Sequence, residues 1–136
     1  MGDMQINYLA VLVSAIVSMV IGGLWYSPVL FGKQWMALMG MPEKPPENFN
    51  PAPLYAQAFV ASLVCDYVLA RLIVATNHTT AMGGLISGFW VWLGFIATVQ
   101  FTGNLFSMKP IKLFYLDTSY QLVCTLIAGM ILAVWR

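Results

Sequence analysis

The residue in this sequence with the most chemical potential is an aspartate set in the middle of an apolar run. Asp66 lies within 54–75, a stretch whose other charged residue is Arg71. A carboxylate at the centre of a bilayer costs about 2.5–3.5 kcal/mol even on the mildest insertion scale. Such a group must be protonated, hydrogen-bonded to a neighbouring helix, or turned towards water inside a bundle. Arg71 follows five residues later, about 140° around a helix, so it is badly placed to neutralise Asp66 from the same helix. Four further polar residues interrupt apolar runs: Gln57, Gln100, Asp117 and Gln121. A carboxyl and several amides can take up and release a proton or a cation and line its path. The same groups can also serve as hydrogen-bonding glue between helices. Both readings stay open at this point.

The elements that must position these residues follow from composition. Of 136 residues, 60% are hydrophobic and 8% charged, whereas a soluble domain carries roughly 25% charged residues. The chain is therefore expected in a membrane. A formal charge of +1 excludes a basic nucleic-acid surface and an acidic tail. Crossing a hydrocarbon core of roughly 30 Å takes about 20 apolar residues. Runs 6–27, 54–75, 82–103 and 113–135 satisfy this, predicting an all-α polytopic membrane protein with four transmembrane helices in a single domain, 1–136. The first run is too long for a signal peptide and is not preceded by a basic residue, so it is expected to remain as an anchor. Segment 29–41 mixes Phe31, Trp35, Met36 and Met39 with Lys33 and Gln34, which predicts a short interfacial helix after the first span. The proline-rich stretch 42–53 reads as an ordered turn outside the lipid.

Lys33, Lys44, Lys109 and Lys112 fall in the first and third connections, against Arg71 and Arg136 on the other side. By the positive-inside rule those connections are expected in the cytoplasm, with both termini outward. At 1.5 Å per residue, Asp66 comes out near the midplane. Gln57, Gln100 and Asp117 lie about 10 Å from it and Gln121 roughly half that, all towards the lysines. The expectation is a polar vestibule that opens on the lysine side and ends at Asp66. Small residues at four-residue spacing mark Ala10, Ser14, Ser18 and Gly22; Ala58, Ser62, Asp66 and Ala70; and Asp117, Gln121, Thr125, Gly129 and Ala133. Gly84 and Gly88 add a G-x-x-x-G pair. In lipid such stripes let backbones approach, within one chain or between copies, and a homo-oligomer is expected.

Other chemistry is poorly supplied. Cys65 and Cys124 each sit inside an apolar run, which offers neither a disulfide framework nor a zinc cage. Met36, Met39 and Met41 suit interfacial packing better than a soft metal, and His78 has no second ligand for haem. Trp90 and Trp92, in mid-span, are expected either to pack the core or to line a ligand cavity. No nucleophile–base set or phosphate-binding glycine loop can be assembled, so no catalytic residue, cofactor or metal is expected and the chain does not read as an enzyme.

The run Gly22-Gly23-Leu24-Trp25-Tyr26-Ser27-Pro28, with Leu30-Phe31-Gly32-Lys33 and Trp35 after it, resembles the opening motif of the domain of unknown function 1761 (DUF1761) family of small bacterial membrane proteins. Trp92-Leu93-Gly94-Phe95 with Ala97-Thr98, Asn104-Leu105-Phe106, Lys109-Pro110, Lys112-Leu113-Phe114 and Tyr120 is similar to that family's C-terminal signature. The resemblance implies a four-helix integral membrane protein of unestablished role. It maps Trp25, Tyr26, Ser27, Pro28, Lys33, Asn104, Lys109, Pro110 and Lys112 to the lysine-side ends of the spans. The residues favour a small channel or carrier in a bacterial inner membrane, using Asp66. A structural subunit of a larger membrane complex and a binder of lipid or another hydrophobic ligand are the alternatives.

Overall fold

The computed structural model describes residues 5–40 and 50–135. Lys44, Met41, Arg136 and most of the proline-rich stretch lie outside the described residues. The described residues are all-helical, with four helices long and apolar enough to cross a membrane. These are α1 (Tyr8–Trp25), α3 (Ala52–Ala75), α4 (Ala81–Phe106) and α5 (Ile111–Val134). The short α2 (Gly32–Met39) follows the first of them.

Each helix starts and stops for a local reason. Asn7 caps α1 by accepting from the Ala10 N–H at 3.1 Å, and its amide donates to the Trp135 carbonyl at 3.2 Å, tying the start of α1 to the end of α5. Pro28 cannot continue a helix, and α1 ends at Trp25 in a tight turn. There the Phe31 N–H donates to the Trp25 carbonyl at 3.0 Å and the Gly32 N–H to the Ser27 carbonyl at 2.8 Å. A Cβ at position 32 would run into the Tyr26 carbonyl, so the turn requires glycine. Gly40, with φ 70°, ends α2 in the left-handed conformation. Thr80 caps α4 through its hydroxyl, which accepts from the Gly83 N–H at 3.0 Å. Pro110, which lacks an N–H, precedes α5.

The third span runs beyond the expected 82–103, to Phe106, and is not uniform: residues Trp92–Ala97 form a π-helical segment. Hydropathy fixes the length of an apolar run but is blind to a widened turn, which changes the backbone hydrogen bonding and leaves the apolar composition as it is.

α5 occupies the centre and touches every other helix. The buried apolar core joins Ile6, Ala10 and Val11 of the α1 end to Leu69, Ala70 and Ile73 of α3 and Ala128, Leu132 and Ala133 of α5. All of these lie in the half of the bundle away from the lysines. In the same half α4 meets α5 backbone to backbone. A Cβ on Gly84 would collide with the Gly129 carbonyl, and one on Gly88 would come within 2.7 Å of the Thr125 carbonyl.

This placement corrects the expectation that the small-residue stripes offer surfaces to other copies. Ala10, Ser14, Ser18, Gly84, Gly88, Thr125, Gly129 and Ala133 are buried within the chain, because four helices without a hydrophobic drive in lipid need the stripes for their own contact. Ala58, by contrast, is exposed.

Replacing Gly84 by leucine is expected to destabilise the bundle by about 1–3 kcal/mol or more. Replacing Gly23 by leucine, where an added Cβ meets nothing within 4 Å, should leave the thermal transition in mild detergent nearly unchanged. Equal transitions for the two variants would contradict this packing.

Candidate functional site

A cleft of about 520 Å³ lies in the lysine-side half of the bundle, with walls from α1, α3, α4 and α5. α3 and α4 are joined by a tight turn at the closed end and diverge towards the lysines. Asp66 lies in the cleft wall and is 5% exposed. Beyond it the way is closed by Leu69 and Ile73, which are 2% and 0% exposed. The Asp66 Oδ2 atom is enclosed and has no hydrogen-bond partner among the described residues. Arg71 turns away, donating to the Tyr67 hydroxyl at 2.9 Å with its guanidinium 5.6 Å from that ring's centroid.

Of the other residues expected along the path, Gln100 and Gln121 line the cleft, both half-buried. Gln100 Oε1 accepts from the Thr118 hydroxyl at 3.2 Å. Gln57 does not line it. The first turns of α3, residues 51–58, are exposed because α3 leaves the bundle at this end, and Gln57 leaves with them. Asp117 is also outside the cleft: its Oδ1 accepts from the Tyr26 hydroxyl at 2.6 Å, which makes it a tie between α1 and α5. The opening differs from an axial mouth as well. Phe95 and Val99 line the cleft yet are 71% and 66% exposed, and Ala58, Ala61 and Cys65 on the facing wall are exposed too. The cleft therefore opens along the flank of the bundle between α3 and α4, not solely through its lysine end.

Three lining groups escape a search for acids and amides. Tyr120 projects from α5 into the space left by Gly22, its hydroxyl donating to the Ser18 carbonyl at 3.0 Å. Cys124 is buried and lines the cleft with Tyr120 and Ser18, and Cys65 lines it beside Asp66. Tyr120 and Cys124 stand four residues apart, each three residues after a member of the small stripe of α5 (Asp117 and Gln121), and that shared face is the sequence signal for two of them. The tryptophans divide: Trp92 packs, half-buried, with its indole N–H donating to the Thr118 carbonyl at 3.0 Å, whereas Trp90 is exposed on the outside, and neither lines the cleft.

The motif residues of α1 cluster at the lysine end. Trp25 donates to the Leu116 carbonyl at 3.1 Å, and Tyr26 sets its ring edge against Tyr120 at 5.3 Å and Trp35 at 5.6 Å. Interfacial belt residues they are in depth, but they turn inward because α5 offers carbonyls and a carboxylate. Ser27 donates to the Leu24 carbonyl at 2.7 Å in the turn before Pro28. Asn104 holds the loop to α5 through its carbonyl, which accepts from the Lys109 N–H at 3.0 Å, while its Nδ2 is enclosed without a partner among the described residues. Lys33, Lys109, Pro110 and Lys112 are exposed. Lys112, Trp25 and Phe31 border a separate groove of about 620 Å³ between α2 and α5. Among the described residues no group of three His, Cys, Asp or Glu side chains is arranged to hold a metal ion.

A hydrogen bond to a charged group contributes about 1.5–3 kcal/mol. A double-mutant cycle of Tyr26→Phe and Asp117→Asn is accordingly expected to show strong coupling in stability. Additive effects would show that the two groups do not work as a pair.

The same strings of residues are recognised by a family model. The model described as protein of unknown function (DUF1761) matches residues 9–133. No curated protein and no solved structure matches the chain significantly. With nearly its whole length covered, the chain belongs to the DUF1761 family of proteins of unknown function.

Proposed function

We propose that this protein is a small membrane carrier for protons or cations, with Asp66 as the group that takes and releases the charge. The observation that carries the reading is Asp66 itself, a buried carboxyl with an unpartnered oxygen in the wall of a cleft. An acid kept only for packing would be expected to find a donor, as Asp117 does in Tyr26. The apolar plug of Leu69 and Ile73 below it favours a carrier over an open channel, because passage requires the closed half to rearrange. Gln100 and Gln121 present amides at the cleft wall, and Lys33 and Lys109 sit at the lysine end, where they tune the approach of charge.

In this reading the lysine end faces the cytoplasm of a bacterial inner membrane, both termini face outward, and the chain has no catalytic role. With the small-residue stripes used inside the chain, a homo-oligomer would form on outward faces that carry larger side chains, among them the exposed lysine-side half of α3. That same face supports a second reading, a subunit docked on a larger membrane complex. A binder of lipid or another hydrophobic ligand loses the walls once expected of it, since Trp90 and Trp92 are elsewhere.

Reconstituted in liposomes, the parent protein is expected to carry protons or monovalent cations down a gradient, and Asp66→Asn to reduce that flux to near the protein-free background. Unchanged flux in a correctly inserted Asp66→Asn variant would remove Asp66 from the mechanism. Stoichiometric co-purification of another membrane protein, with no flux from either form, would favour the docked subunit instead.

A further inference from the structure

The walls of the cleft discriminate among cations, an inference that rests on the carrier reading. A bare metal ion takes six or more oxygen ligands in the case of calcium, and magnesium is similarly demanding. The described lining residues supply one carboxylate, Asp66, and otherwise neutral oxygens from Ser18, Ser62, Gln100, Tyr120, Gln121 and Thr125. The Tyr120 and Thr125 hydroxyls give their protons to the Ser18 carbonyl at 3.0 Å and the Gln121 carbonyl at 2.7 Å, and Gln100 Oε1 accepts from Thr118 at 3.2 Å. Their lone pairs can still face a cation, so the discrimination is one of charge: a single carboxylate balances a monovalent cation and falls short of a divalent metal ion. Around it the walls are apolar, from Met19, Leu69, Val91, Phe95, Ile96 and Val99. A volume of about 520 Å³ falls in the range of roughly 300–1,000 Å³ typical of sites for small organic molecules.

The position of the opening adds a second constraint. Phe95 and Val99 on one lip and Ala58 and Ala61 on the other are exposed along spans that face acyl chains. A ligand using this gap reaches Asp66 only after entering the lysine-side leaflet. A strongly hydrated inorganic ion does not take this lateral route and is left with the lysine end, whereas an organic cation with an apolar body can use it.

We propose that the Asp66 cleft binds an amphiphilic organic monocation, which enters from the lysine-side leaflet between α3 and α4. Its charge lies against the Asp66 carboxylate and beside the Tyr120 ring, where a cation is also favoured. Its apolar body rests on Met19, Phe95 and Val99. One positive charge balances one carboxylate, so a proton and the cation compete for the same oxygens, and binding to the protonated form releases the proton. Among the described lining residues the titratable neighbours are Cys65 on the same helix and Tyr120 and Cys124 on α5, with none from α1 or α4.

The test uses the full chain in maltoside micelles with two probes of one shape and opposite charge, tetraphenylphosphonium and tetraphenylborate. Saturable phosphonium binding that weakens in acid, without saturable borate binding, is the expected result. Asp66→Asn should weaken phosphonium binding by more than about tenfold. Ala61→Trp, which narrows the mouth and leaves the acid in place, should weaken it as well. Phosphonium binding equally strong in a folded Asp66→Asn variant, or borate binding as tight as phosphonium, would overturn the proposal. If Asp66→Asn does not fold, the probe pair and Ala61→Trp decide. Asp66-dependent proton or inorganic-cation flux without phosphonium binding would overturn this proposal and leave the carrier reading intact. Phosphonium binding without flux would do the reverse. A cross-link between copies through Ala61→Cys, with phosphonium binding absent, would show that a second copy fills the cleft and would also overturn it.

Discussion

The close approach of α4 to α5 at Gly84 and Gly129 is the contact on which the rest of the bundle depends. Lipid tails are as apolar as leucine, so helices in a membrane gain little from hydrophobic burial and hold together through dispersion between backbones that can come near. The small residues that permit this are concentrated in one half: Ala10 and Ser14 on α1, Ala70 on α3, Gly84 and Gly88 on α4, Gly129 and Ala133 on α5. Large side chains dominate the other half. Tyr120 stands where α1 makes room with Gly22, and Trp25, Tyr26 and Trp35 gather around it. A bundle tight at one end and propped by aromatic rings at the other must open towards the propped end. The cleft is a consequence of that gradient in side-chain size along α5.

Two acids on this scaffold show how environment separates a structural role from a chemical one. Asp117 receives a phenolic hydroxyl at 2.6 Å and thereby joins α1 to α5. Asp66, on the helix that leaves the bundle, has an enclosed oxygen with no donor and a cleft beside it. A low-dielectric setting makes an unpaired polar group costly, and that cost falls when a proton or a cation arrives. The indole N–H groups of Trp25 and Trp92, set on the carbonyls of Leu116 and Thr118, hold α1 and α4 against α5 on either side of the site. The scaffold around Asp66 is thus fixed on three helices, while the lysine-side half of α3 is left uncovered.

Length and polarity made the spans legible in the sequence to within two or three residues, since hydropathy and helical rise involve nothing but the chain itself. That Gln100 and Gln121 would come to the level of the Asp66 cleft was legible for the same reason. Lateral position was not. Gln57 and Asp117 share the depth of Gln100, but which way a helix leans and which neighbour supplies a hydroxyl are set by contacts distant in sequence. The inward turn of Trp25 and Tyr26 was not legible either, because it depends on acceptors on α5 more than ninety residues away. The π-helical segment left no trace in composition. Cys65 and Cys124 were passed over because no disulfide or metal frame was evident, and their share in the cleft wall emerges from the arrangement of α3 and α5 alone.

Thiol labelling of Cys65 tests the one-sided cleft and its charge most directly. Methanethiosulfonates react with the thiolate, which forms only where water reaches the sulfur. In a Cys124→Ala background in vesicles of known orientation, a membrane-impermeant cationic reagent is predicted to modify Cys65 from the lysine side. Asp66→Asn is predicted to lower the ratio of the cationic reagent's rate to that of an uncharged reagent, a ratio in which a change in the thiolate fraction itself cancels. Modification from the opposite side, or a ratio unchanged by Asp66→Asn, would contradict the account.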